Sequence, residues 1–263
     1  MINHGLTPQE IFFYRFLIAY LGIWVISPKR LFTNNWQDEL WLVAGGIFGG
    51  SLYFFTENTA LGITQASNVS FIICTAPLLT TILSLLFYKS EKASKGLIYG
   101  SLLALMGVGL IVFNGSFVLK ISPISDLLTL LAALSWAFYS LIIKKMAGRY
   151  PTVFITRKIF FYGVLTILPA FLLHPLQPDT AVLLQPAVLF NLLFLAVLAS
   201  LICYVLWNVV LKQLGTVRAS NYIYLNPLVT MIASFLILDE KITLVALGGA
   251  ACIVCGVYWA EKK

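Results

Sequence analysis

Charge is scarce in this chain: 10% of its residues are Asp, Glu, Lys or Arg against 60% hydrophobic, and mean hydropathy is +0.94. A soluble domain carries about 25% charged residues, so that class is excluded. Histidine is scarcer still, and His4 and His174 both fall outside the apolar runs. Intramembrane proteolysis or lipid transfer would need a clustered acid, base, nucleophile or metal set, and the lack of one argues against a membrane enzyme. The four cysteines, Cys74, Cys203, Cys252 and Cys255, all lie inside apolar segments. Although Cys252 and Cys255 have CxxC spacing, in that setting they read as small packing residues rather than a redox or zinc pair. No metal and no cofactor are expected. A Walker A motif is absent, so ATP is not the direct energy source. The N-terminus lacks the basic region of a signal peptide ahead of the first apolar run, which begins near Glu10. The net charge of +7 does not mark a nucleic-acid surface, because the basic residues sit in short loops between apolar runs.

What is present is a series of apolar runs of membrane-spanning length. Nine can be read, at 10–26, 40–61, 68–88, 94–113, 127–143, 154–173, 188–211, 219–238 and 244–260. Runs this long are too long for barrel strands, and only helices or closed barrels satisfy backbone groups in hydrocarbon. The expected fold class is therefore an all-α polytopic membrane protein without a soluble domain.

Two of these runs are copies of one another. Pro77, Leu78, Thr80, Ile82, Ser84 and Leu86 recur as Pro227, Leu228, Thr230, Ile232, Ser234 and Leu236, at a constant offset of 150. Asn58 and Asn208, and Ser70 and Ser220, keep that offset. After one deletion it becomes 149, matching Glu91-Lys92 to Glu240-Lys241, Gly100 to Gly249 and Gly107 to Gly256. Further back, Ile11-Phe12-Phe13-Tyr14 recurs as Ile159-Phe160-Phe161-Tyr162 at an offset of 148. An internal repeat on this scale in an apolar chain points to a transporter built from two related halves, 1–115 and 124–263.

Placing the C-terminus in the cytoplasm puts all seventeen Lys and Arg residues inside except Lys120, Lys241 and Arg15. That orientation sets the Glu91 loop inside and its copy at Glu240 outside, so the halves are inverted. The second half opens with 127–143, for which the first half has no counterpart in this sequence. Two alternatives stay open: a start lying upstream, or a nine-helix chain with an external N-terminus.

The whole chain resembles the EamA-type branch of the drug/metabolite transporter superfamily. The Pro77 and Pro227 repeats, each closed by a Glu and followed by a glycine-bearing helix, carry the resemblance, together with SDLLTLLAALSWAFYSLIIKK from Ser125 to Lys145 and ENTAL from Glu57 to Leu61. It implies a ten-helix fold of two inverted five-helix repeats, here lacking its first helix, in a membrane of the bacterial inner (plasma) type.

Charge in a bilayer costs several kcal/mol, so intramembrane ionisable groups are functional candidates. Arg15 and Glu57 both fall about 6 to 8 Å below the outer surface at 1.5 Å per helical residue. They read either as a structural ion pair or, for Glu57, as a carboxylate that exchanges a proton or meets a cationic substrate. Trp207 is the repeat mate of Glu57, and Asn58 and Asn208 are mates whose amides suit either packing or substrate contact. Ser70, Cys74, Pro77 and Thr81 share one helical face, matched by Ser220, Tyr224, Pro227 and Met231. Each proline removes a backbone donor and loosens the preceding turn, exposing carbonyls to a substrate or leaving a simple kink. Asn221 and Asn226 add polarity around the second copy. Trp136 and Tyr139, like Tyr204 and Trp207, are spaced as aromatic faces that suit an organic substrate with apolar parts. Gly45, Gly46, Gly49, Gly50, Gly248, Gly249 and Gly256 have the spacing of close helix packing.

The expected function is secondary transport of small metabolites or drug-like molecules, outward, by rocking two inverted halves, with proton or substrate-gradient coupling. Carriers of phosphate-sugars or nucleotide-sugars are the alternative, but their anionic cargo calls for several cavity-facing cations. The partners expected are a small-molecule substrate and membrane lipid, not nucleic acid, with a homodimer left open.

Overall fold

The computed structural model describes residues 6–28, 32–64, 66–88, 94–113, 122–173, 175–176, 180–238 and 242–262. The Glu91 and Glu240 turns lie outside these residues. Among the described residues the chain is helical throughout, with no strand. Helix α1 is Pro8–Ile26; α2 is Trp36–Gly46, continued by a π segment, Ile47–Ser51, into α3, Leu52–Ile63. Then follow α4, Ala66–Ile73, α5, Ala76–Phe87, α6, Lys95–Phe113, α7, Pro123–Ala147, α8, Thr152–Ile167, α9, Ala170–Leu173, and α10, Thr180–Leu183. Helix α11, Pro186–Leu193, passes through a second π segment, Phe194–Ile202, into α12, Cys203–Leu214. Helix α13, Thr216–Asn221, meets α14, Asn226–Leu238, across a 3-10 turn, Tyr222–Leu225, and α15 is Leu244–Glu261. Among the described residues, seven helical stretches are long and apolar enough to cross a membrane.

Local chemistry explains the starts and breaks. Thr7 and Glu10 form a capping box at α1, Glu10 accepting from the Thr7 backbone at 2.8 Å, with Pro8 in the first turn. Pro77 lies in the first turn of α5, and the chain breaks just ahead of it at Cys74 and Thr75. The Ile72 carbonyl facing this break accepts from the Thr75 hydroxyl at 2.7 Å. The carbonyl that Pro77 deprives of its helical donor is the next one along, that of Ile73. The 3-10 turn at Tyr222–Leu225 is the same break 150 positions later.

The chain forms two compact units, one of Met1–Asn58 with Phe138–Gln213 and one of Thr59–Ala137 with Leu214–Lys263. Each draws on both sequence repeats. In the second unit α6 packs against its own repeat mate, α15. A methyl on Gly107 would stand 2.5 Å from the Gly249 carbonyl oxygen, and one on Gly256 would stand 2.5 Å from the Gly100 carbonyl. The early glycine of α6 thus meets the late glycine of α15, and the reverse. Mates that pair crosswise run antiparallel, as repeats related by an axis in the membrane plane must. Cys74 and its mate Tyr224 also share one buried cluster with Ala104, Val108, Ile253 and Val257.

In the first unit the repeat mates α1 and α8 also pack against each other. Its core is aromatic: Phe16 lies 5.1 Å from Phe160, 5.6 Å from Phe54 and 5.7 Å from Tyr204, ring centre to ring centre. Such edge-on pairs add roughly 0.5–1.5 kcal/mol each beyond the area they bury. At one end of the unit, Asp38 accepts from Arg149 and Tyr150, while Glu39 pairs with Lys158 and accepts from Tyr162. Arg157 donates to the Ser27 carbonyl. Arg157 and Lys158, which the charge pattern treats as orientation signals, are thereby buried at 2% and 3% exposure with their charges engaged.

Candidate functional site

Both π segments turn an acceptor toward the interior of the first unit. A π turn widens the helix by one residue and loosens its hydrogen-bond ladder, often at functional positions. In the segment Ile47–Ser51, the Gly49 carbonyl accepts from the Tyr204 hydroxyl at 2.6 Å. Within Phe194–Ile202, the fully buried Ser200 hydroxyl accepts from Arg15 Nε at 2.9 Å. Shifting Ile47–Ser51 by the repeat offset lands it inside the second segment. The two irregularities are therefore one inherited feature.

Around these acceptors the structure gathers Arg15, Glu57, Tyr139, Tyr204 and Asn208. The Tyr139 hydroxyl donates to Asn208 Oδ1 at 2.7 Å, and Asn208 Nδ2 donates to Thr156 Oγ1 at 2.9 Å. The Tyr139 and Tyr204 rings lie 6.0 Å apart. Tyr139 fits only because position 49 is glycine, since a methyl there would overlap its ring.

Arg15 and Glu57 interact electrostatically but form no direct ion pair among the described residues. Instead, Arg15 lies 4.5 Å from the Phe54 ring centre, and Glu57 accepts from the Tyr53 hydroxyl at 3.0 Å. The two charges are thus held separately rather than as a direct ion pair. Of the guanidinium's five N–H groups, only Nε–H has a hydrogen-bond acceptor among the described residues. Tyr53, Phe54, Thr156 and Ser200 were not singled out by the sequence. Tyr53 stands one helical turn before Glu57, and Ser200 is the repeat mate of Gly50; those were the signals available.

That mate relation describes the site's asymmetry. Arg15 and Ser200 meet where their counterparts, Gly163 and Gly50, make a bare backbone crossing: a methyl on Gly50 would lie 3.3 Å from the Gly163 Cα. One crossing is closed by small residues and the other carries a hydrogen-bonded cation.

The remaining candidates are distributed differently. Asn58 and Trp207 belong to the first unit. Ser70, Cys74, Pro77, Trp136, Asn221, Tyr224, Asn226 and Pro227 belong to the second, so Trp136 and Tyr139, one turn apart, fall into different units. Ser70 and Asn226 are exposed, whereas Cys74 and Tyr224 are committed to an apolar cluster. Pro77 and Pro227 are buried at their breaks. Asn221 is fully buried and accepts from Ser101 at 3.4 Å; its Nδ2, with the hydroxyls of Thr80 and Ser220, has no partner among the described residues. These are open hydrogen-bonding positions in a polytopic helical protein. Among the described residues no cluster could hold a metal ion.

A membrane-embedded helical protein of two inverted repeats, with held charges and aromatic hydroxyls inside one unit, is of the transporter class. The EamA-like transporter family matches residues 1–113 and 123–260, and the chain belongs to that family. It is 29% identical over 262 residues to a protein of Archaeoglobus fulgidus described as an uncharacterized transporter, covering 98% of this chain and 89% of the other. It is 26% identical over 269 residues to a probable amino-acid metabolite efflux pump of Salmonella typhimurium, covering 97% and 86%. A solved crystal structure superposes with a TM-score of 0.80 at 17% identity, covering 98% of this chain and 88% of that one.

Proposed function

We propose that this membrane transporter is a secondary exporter of small amphipathic or zwitterionic molecules, working by alternating access of its two inverted repeats. The separation of Arg15 from Glu57 carries the reading. A guanidinium with free N–H groups suits a substrate carboxylate, and Glu57 suits an ammonium or a coupling proton. Phe54 and Phe16 offer the apolar part a surface beside that cation. Outward transport is supported by the relative described as an efflux pump. A phosphate-ester carrier is less well supported, since Arg157 and Lys158 are already engaged by Ser27 and Glu39.

Transport of a metabolite panel into inside-out vesicles, with and without an imposed pH gradient, tests the reading. Wild type is expected to accumulate a zwitterionic substrate when the gradient is imposed. Glu57→Gln is expected to lose gradient-driven accumulation while retaining downhill exchange. Undiminished accumulation by Glu57→Gln would remove Glu57 from coupling.

A further inference from the structure

The second unit contains a cavity of about 320 Å³ that the transport site does not use. Its charged wall consists of Arg218 from α13 and Glu261 with Lys262 from the end of α15, and Thr81 and Ser94 add hydroxyls. Leu85, Leu97, Leu214 and Val217 supply an apolar wall. By the charge pattern of the sequence this is the cytoplasmic end of the unit.

Two observations mark the cavity as built to hold a ligand. Arg218 and Glu261 are half-buried and Lys262 is exposed; none of their side chains has a hydrogen bond or ion pair with another described residue, and the Glu261 Oε1 atom is buried without a partner. A buried carboxylate oxygen of that kind calls for a donor. Glu261 also stands in the last turn of its helix, where a negative charge opposes the helix dipole, so helix stability does not account for it. The walls are firmly set. Gly215, at φ +81, turns the chain from α12 into α13, and a methyl on Gly96 would stand 2.9 Å from the Trp259 carbonyl oxygen.

We propose that this cavity binds a small zwitterion bearing a carboxylate, an amine and an apolar side chain: a free α-amino acid or a close relative. The carboxylate meets Arg218 with Lys262 beside it, the ammonium donates to Glu261, and the side chain lies on Leu85, Leu97 and Leu214. An anion alone would leave Glu261 unsatisfied, and a cation alone would face two like charges. The cavity lies within the range of small-molecule sites, whose volumes start at about 300 Å³. It serves as a holding site at the face from which an exporter loads, separate in position and residues from Arg15 and Glu57.

The test is equilibrium binding of L-leucine, leucinamide and N-acetyl-leucine to the full chain in lipid nanodiscs. All measurements are repeated in an Arg15→Gln background, which disables the site in the first unit. Leucine is expected to bind in both backgrounds. Leucinamide, lacking the carboxylate, and N-acetyl-leucine, lacking the ammonium, should each bind at least about tenfold more weakly, the scale of a lost charged hydrogen bond. Arg218→Gln and Glu261→Gln should each weaken leucine by a similar factor, with Arg218→Lys recovering part of it. Val217→Trp, which fills the cavity and leaves the charges in place, should also abolish binding. Leucine binding that is lost in Arg15→Gln alone, or that is unchanged in Arg218→Gln, Glu261→Gln and Val217→Trp, would overturn the proposal. Because it reads binding and not gradient-driven flux, this result is distinguishable from failure of the transport reading.

Discussion

Gly49 shows how narrowly single residues are constrained here. Its missing side chain is what admits the Tyr139 ring, and its carbonyl is what the Tyr204 hydroxyl finds. Gly49→Ala is expected to destabilise the protein by about 1–3 kcal/mol through overpacking, read as a lowered denaturant midpoint in detergent. Asn208→Ala removes the acceptor of Tyr139 and the donor to Thr156, with an expected cost of about 1–3 kcal/mol in the same measurement. Arg15→Gln, by contrast, should reduce substrate binding more than stability, because most of its donors engage nothing among the described residues; the comparison of binding with unfolding midpoint checks this. Arg15 and Glu57 were legible in the sequence because charge in hydrocarbon is conspicuous. Ser200 was marked only as the repeat mate of Gly50, since one serine in the run FLAVLASLI leaves no pattern of its own.

Helices α6 and α15 are where an element-scale claim can be tried. Their crossing brings Gly100, Gly107, Gly249 and Gly256 against backbone atoms, which leaves no room for a side chain on either helix. Valine at Gly107 or at Gly256 is therefore expected to lower the yield of folded protein and its unfolding temperature by comparable amounts. Valine at Gly248, where nothing lies within 4 Å, should be tolerated. Size-exclusion profiles and thermal unfolding of the three variants check the contrast, and equal effects at all three would contradict it. GxxxG-type spacing made the close packing readable in advance but could not distinguish Gly248 from Gly249, because which neighbour of a pair faces the partner depends on helix rotation. The π segments were equally hidden: a widened turn adds one residue to an apolar run, and in a run apolar on every side the hydrophobic period that would reveal it is missing. The break before each proline could be read, since proline's missing donor announces it. The capping of Ile72 by Thr75 could not, being a matter of rotamer.

Over the whole molecule, the repeat accounts for more than any local feature. It relates the α4–α5 break to the 3-10 turn, one π segment to the other, and the Arg15–Ser200 contact to the Gly50–Gly163 crossing. Constant offsets in the sequence exposed the duplication, and the crosswise glycine pairs of α6 and α15 give it a physical form. What the offsets did not convey is that each compact unit is assembled from pieces of both repeats, because a sequence match records ancestry and not packing. The inversion is tested most directly by single cysteines at positions 91 and 240, in a chain whose native Cys74, Cys203, Cys252 and Cys255 are replaced by serine or alanine. A membrane-impermeant maleimide applied to intact cells is expected to label position 240 and spare position 91, with the pattern reversed in inside-out vesicles. Labelling of both positions from the same side would contradict the mirror relation of the two halves.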